Sequence, residues 1–224
     1  AERDAMVRAR AVLELSAVLG ERLEETGGTE LMRDLELPLV DILAAMERTG
    51  IAVDEPALTA LEADFDAKMR QAQLDAYDAI GRHDVNLGSP KQLQEVLFDQ
   101  LGMPKTKRTK TGYTTDAEAL QSLYAQTEHP FLAALLRHRD ATRLKITVDG
   151  LLKSVADDGR IHTTYNQMIA STGRLSSTEP NLQNIPIRTE AGRKIRAAFV
   201  AAPGNRIISA DYSQIELRVL AHIA

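Results

Sequence analysis

Cysteine is absent from this 224-residue chain. Without a thiol it can build neither a disulfide framework nor a cysteine-based zinc site, which suits a reducing, cytoplasmic setting. No apolar run is long enough to span a membrane, and no stretch reads as a secretory signal. There is no internal repeat and no low-complexity tract. An initiating Met is also missing, so the chain reads as a piece of something longer. What remains is 44% hydrophobic and 26% charged, the composition of a globular protein of one or two domains.

The net charge of −5 hides an uneven distribution. Residues 1–80 hold 8 Lys+Arg against 18 Asp+Glu, a balance of −10, whereas residues 81–224 hold 19 against 14, a balance of +5. Only the second part is suited to a polyanion.

Residues 2–25 have a helical pattern with Val12, Leu15, Leu19 and Leu23 on one stripe, broken at Thr26-Gly27-Gly28-Thr29. A second helix is predicted over Pro38–Arg48, stopped by Gly50, with a short strand at Ile51-Ala52-Val53. Asp54 should cap a long helix whose stripe runs Leu58, Leu61, Phe65, Met69, Ala72, Ala76, Ile80. Capping boxes are predicted at Ser89–Gln92 and Thr115–Glu118, and Pro130 opens the last long helix, through Val155. Asp157-Asp158-Gly159 reads as a turn. After it, Ile161–Gln167 reads as a strand, 171–189 as irregular polar chain, 190–199 as a short helix and 207–210 as a buried strand.

The terminal stretch IISADYSQIELRVLAHIA (207–224) carries the chemistry. Asp211 falls where a strand should stop and a helix begin. A carboxylate there is out of place unless it is paired or holds a metal. With the Tyr212 carbonyl it could supply part of an oxygen shell for Mg²⁺. Two-metal chemistry normally needs a second acidic residue, and none stands out. Glu216 has two readings: a capping bond back to Ser213, or a substrate role.

Three other segments suggest nucleic acid. KTKRTKTGY (105–113) places Lys105, Lys107, Arg108 and Lys110 among Thr hydroxyls, a composition suited to phosphate oxygens or to a plain solvated loop. Arg139 and Arg143, four apart on one helix with Arg137 and Lys145 nearby, form a basic edge or ordinary amphipathic surface. STGRLSSTEPNLQNIPIR (171–188) crowds Arg174, Asn181, Gln183 and Asn184 into one segment. Such donors can reach minor-groove acceptors, which recur at similar places on every base pair; alternatively the amides cap their own turns.

TGRLSSTEPNLQNIP (172–186) followed by DYSQIELR (211–218), with GRKIRAAF (192–199) between them, resembles the family A DNA polymerases. SPKQL (89–93) and RLKITV (143–148) resemble that family's thumb. The resemblance implies an α+β, mainly helical fold: thumb helices plus part of an antiparallel palm sheet of a polymerase right hand. Residues 1–35 would be the last helices of an exonuclease-like domain, 36–156 the thumb with a palm-proximal helix at 38–48, and 157–224 the first part of the palm. The fingers and the palm strand with a second aspartate would lie outside the chain, leaving it inactive alone. The resemblance further implies that Asp211 is one of two catalytic aspartates holding two Mg²⁺ ions, with the Tyr212 carbonyl as a ligand. Glu216 would exclude a 2′-hydroxyl, and Arg174 would read the minor groove at the primer terminus. Asn181, Gln183 and Asn184 would meet the duplex, with Lys105, Lys107, Arg108, Lys110, Arg139 and Arg143 near its phosphates. Implied partners are primer–template DNA and deoxynucleoside triphosphates, with no membrane, in a monomeric, nucleoid-associated enzyme. The alternative is a non-catalytic duplex-binding module.

Overall fold

The computed structural model describes residues 2–110 and 112–224. They are mainly helical with small antiparallel sheets, as expected, and fall into two compact units.

One unit comprises the residues up to Gly50 together with His162–Gln183. Helix α1 (Glu2–Glu25) ends where predicted, but of its predicted stripe Val12, Leu15 and Leu19 are exposed and only Leu23 is half-buried. The next helix starts earlier than predicted. Helix α2 (Thr29–Leu31) runs through a π-helical turn (Met32–Glu36) into α3 (Leu37–Thr49). Pro38 sits near the start of α3, but the chain arrives already helical, so Pro marks no boundary. Gly50 closes α3 at φ 59°, ψ −174°, a conformation open to glycine. Strands β5 (Thr164–Asn166) and β6 (Ser176–Thr178) pair antiparallel, Tyr165 opposite Ser177. The predicted strand at 161–167 is therefore broken: His162 and Thr163 make other bonds. His162 Nδ1 lies 2.7 Å from the Glu47 carbonyl, and the Thr163 hydroxyl donates to Thr178 and Pro180 carbonyls at 3.0 and 2.8 Å.

The other unit comprises Ile51–Ile161 and Asn184–Ala224. Strand β1 (Ile51–Ala52) pairs antiparallel with β4 (Arg160–Ile161). Helix α4 (Glu55–Ile80) lies along α7 (Pro130–Lys153). Asp54 caps α4 as predicted, its Oδ1 accepting from the Ala57 N–H at 3.0 Å. The α4 stripe buries Leu58, Phe65, Ala72, Ala76 and Ile80. Helix α5 (Pro90–Gln94) continues as a π-helical turn (Glu95–Gln100), in which Val96, Leu97 and Phe98 are all buried. These residues, with Leu93, Leu120, Leu123, Phe131, Leu132 and Leu135, make one core with the end of α4.

The capping boxes form only in part. Ser89 Oγ accepts from the Gln92 N–H, but the Gln92 side chain turns to the Asn86 N–H instead of back to Ser89. Helix α6 (Ala117–Thr127) is capped by Asp116, one residue later than predicted, while Thr115 is buried. Helix α7 stops at Lys153, and Val155 bridges to Ile161. The Asp157–Gly159 turn is present, Gly159 at φ 74°. Helix α8 (Glu190–Ala197), capped by Thr189, brings the Ala198 carbonyl to the Asp54 N–H at 2.7 Å.

The predicted strand at 207–210 does not form. Ile207 is 56% and Ile208 87% exposed, and residues 205–212 have no regular structure. A two-isoleucine run needs a ladder partner to be buried, and none of the described residues pairs with it. Helix α9 (Ile215–Ile223) follows. Among the described residues no helix is long and apolar enough to cross a membrane.

Candidate nucleic-acid interface

The described residues of the basic stretch, 105–110 and 112–113, form a hairpin, and Thr111 lies outside the described residues. Strands β2 (Arg108–Thr109) and β3 (Gly112–Tyr113) pair antiparallel, Arg108 opposite Tyr113. Lys105, Lys107, Arg108 and Lys110 are all exposed. The Thr hydroxyls shape the hairpin itself: Thr106 donates to the Thr114 carbonyl at 2.6 Å and Thr109 to the Gly112 carbonyl at 2.8 Å. Tyr113 lies edge-on to the buried Phe98, ring centroids 5.3 Å apart, and carries the Lys105 ammonium 5.2 Å from its own ring centroid. The hairpin thus offers cations on a base fixed to the core.

That base is held from α5. Gln94 Oε1 accepts the Tyr113 N–H at 2.9 Å, and Gln94 Nε2 donates to the Pro90 carbonyl at 3.2 Å. The sequence reading missed Gln94, because a contact nineteen residues away leaves no periodic signal. Ser89, Lys91, Gln94, Thr109, Tyr113 and Arg139 line one cleft beside the hairpin.

The basic edge predicted on α7 is largely consumed internally. Arg137 pairs with Asp75 at 2.7 Å. Lys145 sits among Glu62 (2.6 Å), Asp149 (3.0 Å) and Asp66 (4.0 Å), and its hydrogen bonds to Glu62 and then Asp149 raise its pKa to about 12. Arg139 is half-buried and donates to the Thr115 carbonyl; burial lowers its pKa, opposed by the charge of Asp116. A guanidinium stays protonated through such a shift. Asp116 is itself held below the usual carboxylate range by the Ala119 N–H first and the Thr114 hydroxyl second. Arg143 remains exposed, with Asp140 3.8 Å away.

In the other unit, the polar segment is tied to its own backbone, which fits the turn-capping alternative for two of its amides. Asn181 Oδ1 accepts the Gln183 N–H at 2.9 Å, and Gln183 Nε2 donates to the Leu175 carbonyl at 3.0 Å. These bonds occupy one side of each amide and fix its direction, while both side chains stay exposed. Arg174 is exposed on the same segment. The β5 strand is anchored by Glu47, whose carboxylate accepts the Tyr165 N–H at 2.6 Å, and Gln167 donates to the Glu36 carboxylate at 2.7 Å.

Asn184, Asp211, Tyr212 and Glu216 are exposed residues of the unit that holds the hairpin. Asp211 lies in irregular chain, not at a strand end. Helix α9 starts one residue later than a Ser213 cap would have it: Gln214, at φ 52°, is the N-cap and makes no side-chain capping bond. Glu216 is in the first turn. Among the described residues no three His, Asp or Glu side chains gather closely enough to hold a metal. The donors at 211–212, a carboxylate and a peptide carbonyl, are hard oxygens of the kind Mg²⁺ takes, and by themselves they are fewer than such an ion needs.

The sequence profile of DNA polymerase family A matches residues 55–224. DNA polymerase I of Mycobacterium tuberculosis is 63% identical over 220 residues, covering 98% of this chain and 24% of that protein. DNA polymerase I of Bacillus subtilis is 44% identical over 220 residues, covering 97% of this chain and 25% of that protein. The chain thus spans about a quarter of the length of these relatives. Among solved structures, the POL domain of Pol1 from M. smegmatis, in complex with DNA primer-template and dNTP, superposes with a TM-score of 0.90 at 62% identity, over 96% of this chain and 38% of that one.

Proposed function

Because the chain belongs to DNA polymerase family A, we propose that it is the duplex-holding part, and the first carboxylate-bearing part, of a DNA-directed DNA polymerase. One observation carries this reading: DYSQIELR at 211–218 and TGRLSSTEPNLQNIP at 172–186 both lie in the stretch the family profile matches. The reaction is attack of a primer 3′-hydroxyl on the α-phosphate of a deoxynucleoside triphosphate, with pyrophosphate leaving.

In this reading residues 1–35 belong to an exonuclease-like domain, 36–156 to the thumb and 157–224 to the palm. Lys105, Lys107, Arg108 and Lys110 take phosphates of the duplex, and Arg139 and Arg143 lie on the same side. Arg174 reads the minor groove at the primer terminus, with Asn181, Gln183 and Asn184 on the duplex beside it. Glu216 lies under the incoming sugar and excludes a 2′-hydroxyl. The Asp211 carboxylate and Tyr212 carbonyl would hold Mg²⁺. When bound, two such ions supply activation of the hydroxyl and neutralisation of the leaving phosphates. The enzyme works as a monomer in the bacterial cytoplasm, on nucleoid DNA.

Primer extension tests this. In a polymerase of the relatives' length, Asp211→Ala should abolish extension while duplex binding stays within about tenfold, since phosphate contacts dominate affinity. Near-normal extension by that variant sinks the assignment. The second reading is a duplex-binding module without chemistry, which the exposed cations of the hairpin would serve equally well. It predicts salt-sensitive duplex binding without incorporation, and nucleotide incorporation by the chain alone would refute it.

A further inference from the structure

Gln94 stands outside every motif discussed so far, yet its amide joins two parts of the chain. Its Nε2 donates to the Pro90 carbonyl at the start of α5, and its Oε1 accepts the Tyr113 N–H of the basic hairpin. The hairpin leaves no room around that bond. Gly112 sits at φ 131°, and a Cβ built there would run into the Gln94 amide. Tyr113, once fixed, passes the constraint on in two directions: its ring packs on Phe98 and carries the Lys105 ammonium. Two further bonds close the hairpin base, Thr114 N–H to the Lys107 carbonyl at 2.9 Å and the Thr106 hydroxyl to the Thr114 carbonyl.

We propose that Gln94 is a positioning residue for duplex binding: it latches the hairpin to α5, so that Lys105, Lys107, Arg108 and Lys110 meet consecutive phosphates as a preset array. The inference rests on the hairpin being the phosphate-binding element proposed above. Preset cations lose little side-chain and loop freedom on binding, so affinity is gained without any contact between Gln94 and DNA. Without the latch, the hairpin keeps its charge but not its direction. Fewer cations then engage at once, and fewer counterions are released. Log affinity falls with log salt by about 0.9 per phosphate neutralised, so the latch can be read in the salt slope.

The test uses the whole chain and a labelled primer–template duplex, with the dissociation constant measured from about 50 to 200 mM salt. Gln94 is half-buried, so its variants are expected to fold, and a thermal melt of each checks this. Gln94→Met keeps the volume and removes the acceptor; it should weaken binding about threefold to tenfold and flatten the salt slope by about one phosphate or more. Gln94→Glu keeps an acceptor for the Tyr113 N–H but loses the donor to the Pro90 carbonyl and adds a negative charge beside the cations, so its slope should fall between those of wild type and Gln94→Met. A merely structural side chain would show the reverse order or no change of slope. A variant with all four hairpin cations changed to Ala separates the two levels of the argument. If it binds like wild type, the phosphate reading of the hairpin fails, and the latch falls with it. If it loses affinity while Gln94→Met keeps both wild-type affinity and slope, the latch alone is overturned.

Discussion

Helices α7 and α9 both carry many large apolar residues, and their fates differ. In α7, Phe131, Leu132, Leu135, Val148 and Leu151 are exposed by 2% or less, covered by α4 and the core around α5 and α6. In α9, Ile215, Leu217, Val219, Leu220 and Ile223 are 40% to 76% exposed. An apolar face is a demand for a partner, and only where the chain supplies one does burial stabilise the helix. The same divide separates the two candidate functions. The basic hairpin stands on the covered helices, whereas Asp211 stands on chain that buries nothing.

The largest expected effect comes from testing that contrast directly. Phe131→Ala should cost about 3–5 kcal/mol of unfolding free energy by denaturant titration, from lost transfer energy and an unfilled cavity. Leu217→Ala should stay within about 0.5 kcal/mol, since its side chain is already solvated. Comparable losses at both sites would erase the distinction. Helix starts come next. Asp54→Ala removes the bond that caps α4 and should cost about 1 kcal/mol. Gln214→Ala, at a start with no side-chain cap, should shift stability by a few tenths of a kcal/mol at most.

The smallest effect concerns pH. His138, on α7, has its Nδ1 buried without a hydrogen-bond partner. Burial, and secondly the neighbouring Arg139 charge, lowers the His138 pKa below its ordinary value. The folded state therefore binds this proton less readily than the unfolded chain does. The stability involved is present above about pH 6.5 and is lost as pH falls from there towards the lower folded-state value. His138→Gln should flatten that leg of a melting-temperature profile by part of its drop. An unchanged profile would assign the drop to other groups.

What could be read in the sequence was local. Asp54 and Pro130 announce helix starts because a cap and a fixed φ act within one turn, and both stand where expected. The Asp157–Gly159 turn and a short helix within 190–199, observed as Glu190–Ala197, were legible for the same reason. The strand at 207–210 was not, because apolar content indicates a preference for burial and cannot say whether a ladder partner exists. Of the cations on α7, charge is visible in the sequence, and so is the Lys145–Asp149 pair four residues apart, but the Asp75 and Glu62 carboxylates that take up Arg137 and Lys145 come from α4 and are visible only in space. For the candidate site, the exposed cations of the hairpin could be named from composition, whereas the Gln94 bond beneath them joins residues nineteen positions apart and could not.

The wide turn at Glu95–Gln100 carries a consequence for chain length. Val96, Leu97 and Phe98 are three neighbours that all point inward. A π-type turn, with each N–H reaching one residue further back, spreads successive side chains over a narrower arc than an ordinary helical turn does. Deleting any one residue there should tighten the coil, swing one of the three out into water and rotate everything after it. An insertion or deletion of this size, tolerated in most surface loops, would in this stretch act like a change of gear.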